Sequence, residues 1–132
     1  MNNLQPLKPL LIMTVFIVED DSIQSLLLKL MVEKLNLKLT GIESCGKRAV
    51  EKIIDLKPDI LLLDIMLKNS FDGINVAREI TKSYDPKIIY ITGNSDSKNL
   101  QRAQEIGYHK FITKPVSLHR LKNCLPMAGN YR

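Results

Sequence analysis

The chain has 132 residues, of which 45% are hydrophobic and 25% charged, the size and composition of one globular domain and not of a disordered chain. Its two cysteines are too few for a disulfide scaffold, and no apolar run approaches the ~18 residues of a membrane span. The formal net charge is +5, and the excess is local, because residues 98–132 carry seven basic side chains and one acidic side chain.

The first apolar run covers residues 10–18 and is long enough for either a buried strand or the apolar core of a signal peptide. Acidic residues follow it at 19–21, where a signal peptide would have small residues and a cleavage site. We therefore predict a strand at 12–18 and a cytoplasmic protein in which Cys45 and Cys124 are free thiols.

Four more short, β-rich apolar runs follow, with starts spaced 23 to 28 residues apart. Two of them, at 60–63 and 88–91, show no alternation of apolar and polar residues, as expected of strands that are covered on both faces. The five predicted strands are residues 12–18, 37–42, 60–63, 88–91 and 111–113.

Helical patterns lie between and after these strands. After an N-cap at Asp21 or Ser22, apolar residues recur at the spacing of a helix with one apolar face: Ile23, Leu26, Leu27, Leu30, Met31 and Leu35. The other helices are predicted at 47–57, 73–83, 96–106 and 117–125, with Pro58, Asp85-Pro86, Gly107 and Pro126 as their stop signals. A strand followed by a helix, five times over, predicts an α/β fold with a parallel sheet, right-handed crossovers and helices on both faces.

Polar residues stand at the carboxyl ends of four of these strands, where ligands bind in open parallel sheets. They are Glu19 and Asp20 after the first strand, Asp64 after the third, Thr92 at the end of the fourth and Lys114 at the end of the fifth. Each residue alone is typical of a helix cap, a turn, a β-strand or a loop. Together they predict a site at one edge of the sheet.

Three carboxylates at one edge repel one another, by about 4 kcal/mol for two unit charges ~4 Å apart at an effective dielectric constant near 20. Lys114 supplies one compensating charge, and Mg²⁺, which prefers carboxylate and phosphate oxygens, would supply two more. No His or Cys stands at these strand ends, so the sequence does not indicate zinc or copper. A carboxylate nucleophile, a metal, an ammonium group and a hydroxyl are what phosphoryl transfer to an aspartate requires.

At this point the sequence resembles the receiver domain of two-component response regulators. The resemblance covers residues 10–125, which leaves an N-terminal extension at 1–9 and a tail at 126–132. It implies a single doubly wound, flavodoxin-like sheet of five parallel strands in the order 2-1-3-4-5, with five helices. The motifs that carry it are Val-Glu-Asp-Asp at 18–21, Leu-Leu-Leu-Asp at 61–64, Asp-Gly at 72–73, Ile-Thr-Gly at 91–93 and Thr-Lys-Pro at 113–115.

The resemblance implies a role for each site residue. Asp64 would accept the phosphoryl group, and Asp20 and Asp64 would bind Mg²⁺ directly. Glu19 would act on the metal through a water molecule, and the backbone carbonyl of Met66 would be a further ligand.

Three residues in or at the ends of the last two strands complete the implied site. Thr92 would donate a hydrogen bond to one phosphoryl oxygen, and Lys114 would pair with another. Phe111 matches the family's switch aromatic, which turns inward as the Thr moves, although an ordinary core aromatic is the other interpretation. The peptide bond between Lys114 and Pro115 is expected to be cis.

The implied function is a signalling switch without substrate turnover beyond its own phosphorylation and dephosphorylation. A histidine kinase or a histidine phosphotransfer protein would donate the phosphoryl group to Asp64. The face formed by helix 4, strand 5 and helix 5, which is the basic C-terminal quarter, would then bind a downstream protein. We expect neither nucleic acid nor membrane as a partner, and a homodimer stays open.

The loop after Asp64 departs from the family pattern and leaves two alternatives open. Many receivers have Met-Pro soon after the acceptor, whereas here residues 65–71 contain no Pro. A pseudo-receiver would keep the fold and act without phosphorylation or Mg²⁺ binding. A haloacid-dehalogenase-type phosphatase would need a second acid two residues after the nucleophile, where Met66 stands.

Overall fold

Five parallel strands form one sheet in the order β2-β1-β3-β4-β5. The computed structural model describes residues 13–68, 70–93, 97–107 and 109–126, so the predicted extension at 1–9 and all but the first residue of the predicted tail lie outside it. The strands are β1 (Thr14–Val18), β2 (Lys38–Glu43), β3 (Ile60–Asp64), β4 (Lys87–Thr92) and β5 (Lys110–Thr113). The helices are α1 (Ser22–Lys34), α2 (Gly46–Leu56), α3 (Gly73–Ile80), α4 (Ser97–Ile106) and α5 (Leu118–Cys124). The predicted fold class, strand order and five helices are confirmed within the described ranges.

Apolar side chains cover both faces of the sheet, which explains why the central strands do not alternate with polar residues. In β3, Leu61 and Leu63 pack toward α2, α3 and α4, whereas Ile60 and Leu62 pack toward α1 and α5. Each of these side chains is at most 1% exposed, and its burial contributes about 1.5–3 kcal/mol. The buried β3 therefore delivers Asp64 to the middle of the carboxyl edge.

Helix α1 has an apolar face that points to solvent. Its residues, called the α1 stripe below, are Ile23, Leu26, Leu27 and Leu30, with 44% to 69% of each residue exposed. The residues that meet the sheet are Leu28 and Val32, with Met31 and Leu35 partly buried beside them. The prediction of one apolar face was wrong at the four stripe positions, because helical spacing does not tell which of two apolar faces meets the core.

Several element ends differ from the prediction for local reasons. The N-cap of α1 is Asp21, whose Oδ1 accepts the Ile23 and Gln24 N–H groups at 2.9 Å. Helix α2 ends one residue early, because Lys57 adopts a left-handed φ of 47°. Helix α3 ends at Ile80 rather than residue 83, because the Lys82 and Ser83 N–H groups donate to carbonyls three residues back, those of Glu79 and Ile80, instead of four. None of the described helices is both long and apolar enough to cross a bilayer.

A buried carboxylate joins the end of β2 to the start of α2. Glu43 is 6% exposed and accepts hydrogen bonds from the Cys45 N–H at 2.9 Å, Arg48 Nε at 3.3 Å and Lys52 Nζ at 2.7 Å. Burial tends to raise the pKa of Glu43, but the bonds from Lys52 and Cys45, with the charges of Lys52 and Arg48, lower it to about 2. The Glu43 backbone carbonyl also accepts the Glu19 N–H at 3.1 Å, so this turn abuts the acidic edge.

Glu43→Gln is expected to lower the free energy of unfolding at pH 7 by about 1–2 kcal/mol, a value kept modest because both basic partners are largely exposed. Folding lowers the pKa of Glu43 from 4.5 to about 2. Its stabilising effect is therefore present above pH 4.5 and is lost as the pH falls toward 2. Urea unfolding at several pH values should show the gap between wild type and variant closing over that window.

The matched control for this prediction is Glu51→Gln, which removes an exposed carboxylate from α2. We expect it to leave stability within about 0.5 kcal/mol of the wild type. A Glu43→Gln gap that stays constant down to pH 2 would contradict the charge-dependent role of this side chain.

Candidate functional site

The ends of β1, β3 and β5 bring three carboxylates and one ammonium group together. One carboxylate oxygen from each of Glu19, Asp20 and Asp64 lies within 4.8 Å of the other two. Lys114 Nζ lies 3.1 Å from Asp64 Oδ2 and 3.8 Å from Glu19 Oε1. The structure thus places these four sequence-predicted residues in one cluster.

Burial sets the protonation of this cluster. Glu19 and Asp64 are each 2% exposed. Burial raises the pKa of Glu19 to about 7, and the adjacent Asp64 adds to the rise, while the Asp21 N–H and Lys114 oppose it. Burial alone would lower the pKa of Lys114, but the hydrogen bond and charge of Asp64 outweigh it and raise the pKa. Lys114 is therefore a cation at neutral pH, and Glu19 retains a proton more readily than an exposed glutamate does.

The backbone around Asp64 fixes its carboxylate. Oδ2 faces Lys114, and Oδ1 accepts the Met66 N–H at 2.9 Å. The Ile65 N–H donates to a β4 carbonyl at 3.0 Å, which continues the sheet one residue past β3. Gly73 packs against the Asp64 carbonyl so closely that a Cβ there would overlap it. The loop after β3, through the Met66 N–H, and the start of α3, through Gly73, therefore both restrain Asp64.

Asp20 is tied to the loop that follows Asp64. Its Oδ2 accepts the Lys68 N–H at 2.6 Å. A cavity of about 340 Å³ adjoins it, lined by Asp20, Ser44, Cys45, Arg48 and Lys68. No sequence pattern predicts the contact between Asp20 and Lys68, because the donor is a backbone N–H 48 residues away along the chain.

The acidic cluster fits a hard divalent cation. Glu19 Oε1 is buried and accepts no hydrogen bond from any described residue, so one oxygen is available to a metal-bound water. The donor set is oxygen only, which suits Mg²⁺ and not zinc. Lys114 offsets one of three carboxylate charges, and a divalent ion would offset the other two.

Thr92 and the residues after β5 lie beside the cluster. Thr92 is buried and ends β4, one residue beyond Ile91, the register partner of Asp64. Its carbonyl accepts the Lys114 N–H at 2.8 Å. The Lys114–Pro115 peptide bond is cis, as expected from the sequence.

Phe111 is half-buried and stacks on its neighbour in β4. The Phe111 and Tyr90 rings lie 5.1 Å apart at an angle of 24°. Tyr90 is fully buried, and its hydroxyl has no hydrogen-bond partner among the described residues. Sequence reasoning did not single out Tyr90, which occupies the core space next to the expected switch aromatic.

Two cations of the basic C-terminal quarter turn inward. Lys114 binds Asp64, and Arg102 Nη1 binds Asp72 Oδ2 at 2.8 Å. The remaining exposed lysines of this quarter are Lys98, Lys110 and Lys122. Sequence reasoning missed the Arg102 contact, because its partner lies 30 residues away on the loop after Asp64.

Comparisons with known proteins agree with the fold of the chain. The family model for the response regulator receiver domain matches residues 15–125. The probable C4-dicarboxylate response regulator DctR of Halalkalibacterium halodurans is 31% identical over 113 residues, which is 84% of this chain and 49% of that protein. The chain therefore spans about half the length of this curated relative.

Two solved structures are similar over most of their length. The signal receiver domain of a modulated diguanylate cyclase from Desulfovibrio desulfuricans G20 is 33% identical with a TM-score of 0.80, covering 86% of this chain and 90% of that one. The BeF3-activated N-terminal receiver domain of Klebsiella pneumoniae RstA is 30% identical with a TM-score of 0.73, covering 86% and 99%. With the matching family model spanning nearly the whole described chain, the protein belongs to the response regulator receiver domain family.

Proposed function

We propose that Asp64 accepts a phosphoryl group from a phosphohistidine and that the added charge alters the face formed by α4, β5 and α5. The observation that carries this proposal is the contact between Lys114 Nζ and the buried Asp64 carboxylate, at 3.1 Å, inside a cluster of three acidic residues. A purely structural ion pair does not need two further carboxylates, which add repulsion. The surplus of negative charge is useful where a metal and a phosphoryl group bind.

The transfer is an in-line displacement at phosphorus. An Asp64 oxygen forms a bond to phosphorus while the bond between phosphorus and the donor histidine nitrogen breaks. The electron pair of that bond goes to the imidazole nitrogen, which takes up a proton, and the product is an acyl phosphate. Lys114 holds one phosphoryl oxygen through its ammonium group, and the Thr92 hydroxyl donates to another.

The acidic cluster would hold Mg²⁺ through Asp20, Asp64 and the Met66 carbonyl, with Glu19 acting through water. When bound, the ion supplies positive charge that offsets the charge of the transferred group. The chain's own contribution is to position the oxygens, since the Lys68 N–H orients Asp20 and the Met66 N–H orients Asp64.

The conformational change caused by phosphorylation would be transmitted from Thr92, at the end of β4, to the neighbouring strand β5. An acyl phosphate adds roughly −1.5 to −2 charges if a phosphomonoester is a fair guide. A shift of Thr92 toward that charge changes the packing of Phe111 on the neighbouring strand. Only a few kcal/mol of differential affinity are needed to move a pre-existing equilibrium. The exposed lysines of this face then meet an acidic protein partner.

The α1 stripe is the surface that would receive the phosphodonor protein. It starts three residues after Asp20, so a protein lying along it reaches the carboxyl edge of the sheet. A contiguous exposed apolar patch is typical of protein interfaces. Its spacing of three and four residues suits packing against another helix, so we propose a helical phosphodonor.

The two other functions differ in their support. No observation supports the phosphatase. Such an enzyme needs a second acid two residues after the nucleophile, and the exposed side chain at that position is Met66, whose thioether cannot transfer a proton. The pseudo-receiver retains the fold and would lack metal binding, so the Mg²⁺ titration described below separates it from the proposed function.

Asp64→Asn is expected to abolish Mg²⁺-dependent labelling by acetyl phosphate, because an amide oxygen is a poor nucleophile toward phosphorus. Intact-protein mass spectrometry measures the added phosphoryl group. Asp55→Asn, which changes an exposed carboxylate on α2, should label like the wild type. Full labelling of Asp64→Asn would remove Asp64 as the acceptor.

Asp20→Asn is expected to weaken Mg²⁺ binding about tenfold or more, since it removes one anionic ligand. Asp21→Asn is the matched control, because Asn caps a helix as well as Asp and residue 21 lies outside the acidic cluster. Backbone NMR titration with Mg²⁺ gives both affinities. Equal affinities for the two variants would refute the proposed ligand, and no binding to the wild type would favour the pseudo-receiver.

Replacing two stripe residues, Leu26→Gln with Leu30→Gln, should slow phosphotransfer from a histidine kinase about tenfold and leave labelling by acetyl phosphate unchanged. The kinase is the one from the source organism that transfers fastest to the wild type. Leu56→Gln, an exposed apolar residue on α2, is the control. Equal slowing with both donors would place the defect in the site and not in docking.

A further inference from the structure

Arg102 forms a fork that joins α4 to the start of α3. Its Nη1 donates to Asp72 Oδ2 at 2.8 Å, and its Nη2 donates to Asp72 Oδ1 at 3.3 Å. The same guanidinium donates to Asn75 Oδ1 at 2.7 Å and to Asn99 Oδ1 at 3.1 Å. The two charged side chains are 35% and 20% exposed, so solvent screens this pair less than a pair on the open surface.

The carboxylate that Arg102 binds belongs to the residue at which α3 begins. Asp72 is the N-cap of that helix, and its Oδ1 accepts the Asn75 N–H at 2.9 Å. The next residue is Gly73, whose N–H donates to the Ile65 carbonyl at 3.2 Å and whose Cα abuts the Asp64 carbonyl. A contact that restrains Asp72 therefore also restrains the backbone of Gly73, which packs against the Asp64 carbonyl.

Helix α4 also reaches the other end of this loop. Asn99 Nδ2 lies 3.9 Å from Met66 Sδ, a weak hydrogen bond to a thioether. The Met66 N–H is the donor that orients Asp64 Oδ1. The side chains of α4 thus contact the loop of residues 65–72 near both of its ends.

We propose that Arg102 is a positioning residue for this loop and sets the metal affinity of the acidic cluster through it. The inference rests on the proposed function, because the Met66 carbonyl and Asp64 are ligands only in that proposal. The loop contains no Pro, so its own sequence restricts its backbone little. The Arg102 fork supplies the restraint from outside.

Arg102→Gln is expected to weaken Mg²⁺ binding about tenfold, the usual effect of removing a residue that orients a ligand. In the metal-free protein, hydrogen exchange at the Met66 and Gly73 amides should speed up about tenfold, while α2 amides stay unchanged. NMR measures both quantities on the full chain. Arg102→Lys should resemble Arg102→Gln, because an ammonium group cannot form the two-pronged contact.

Lys38→Gln is the matched control, since it removes one exposed positive charge from β2 and should alter neither measurement. Asp72→Asn is the second variant, because Asn keeps the N-cap of α3 and removes the charge that Arg102 binds. It should reproduce both effects. If Arg102 variants unfold, Asp72→Asn decides the proposal.

Unchanged Mg²⁺ affinity and unchanged loop exchange in Arg102→Gln or Asp72→Asn would overturn this inference and reduce the fork to a structural link. That result would leave the proposed function standing, provided that Asp64→Asn still fails to label. Conversely, a wild type that binds no Mg²⁺ would overturn both the metal role of Arg102 and the proposed function, even if the loop exchange responded.

Discussion

The ion pair between Lys114 and Asp64 makes the acidic edge of this sheet tolerable. Three carboxylates converge where β1 and β3 end, and two of them are almost completely buried. A single ammonium group, 3.1 Å from one and 3.8 Å from another, is too little charge to neutralise all three. Burial, with a smaller contribution from the adjacent Asp64, raises the pKa of Glu19 to about 7, so this carboxyl group takes up a proton more readily than an exposed glutamate does. The acidic edge of the sheet therefore favours the binding of a further cation.

A second constraint acts on the loop after Asp64, whose sequence contains no Pro. Three separate segments restrain it: the Lys68 N–H binds Asp20, Gly73 packs on the Asp64 carbonyl, and Arg102 grips Asp72. Two of these restraints come from elements that are distant in sequence. The position of the loop is thus a property of the assembled domain and not of the loop itself.

Much of the fold and the core of the site could be predicted from the sequence. Uninterrupted apolar runs require strands covered on both faces, and parallel strands then bring their carboxyl ends to one edge, which is why Glu19, Asp20, Asp64 and Lys114 could be grouped. The phase of α1 could not be predicted, because both of its faces are apolar and only packing chooses between them. The ion-pair partners of Arg102 and Glu43 could not be predicted either. Asp72 lies 30 residues from Arg102, and Glu43 at the end of a strand reaches Arg48 and Lys52 on the next helix, a contact that helical or strand spacing does not fix.

The stack of Phe111 on Tyr90 has a consequence for how this molecule is observed. The chain contains no Trp, so tyrosine emission is not hidden by energy transfer to indole. Tyr90 is fully buried and its ring lies 5.1 Å from Phe111. Any rotation of Phe111 changes the packing around that fluorophore directly. Tyr90 is thus one of four tyrosines whose emission can be followed in this chain, and its ring stacks on Phe111 in the core.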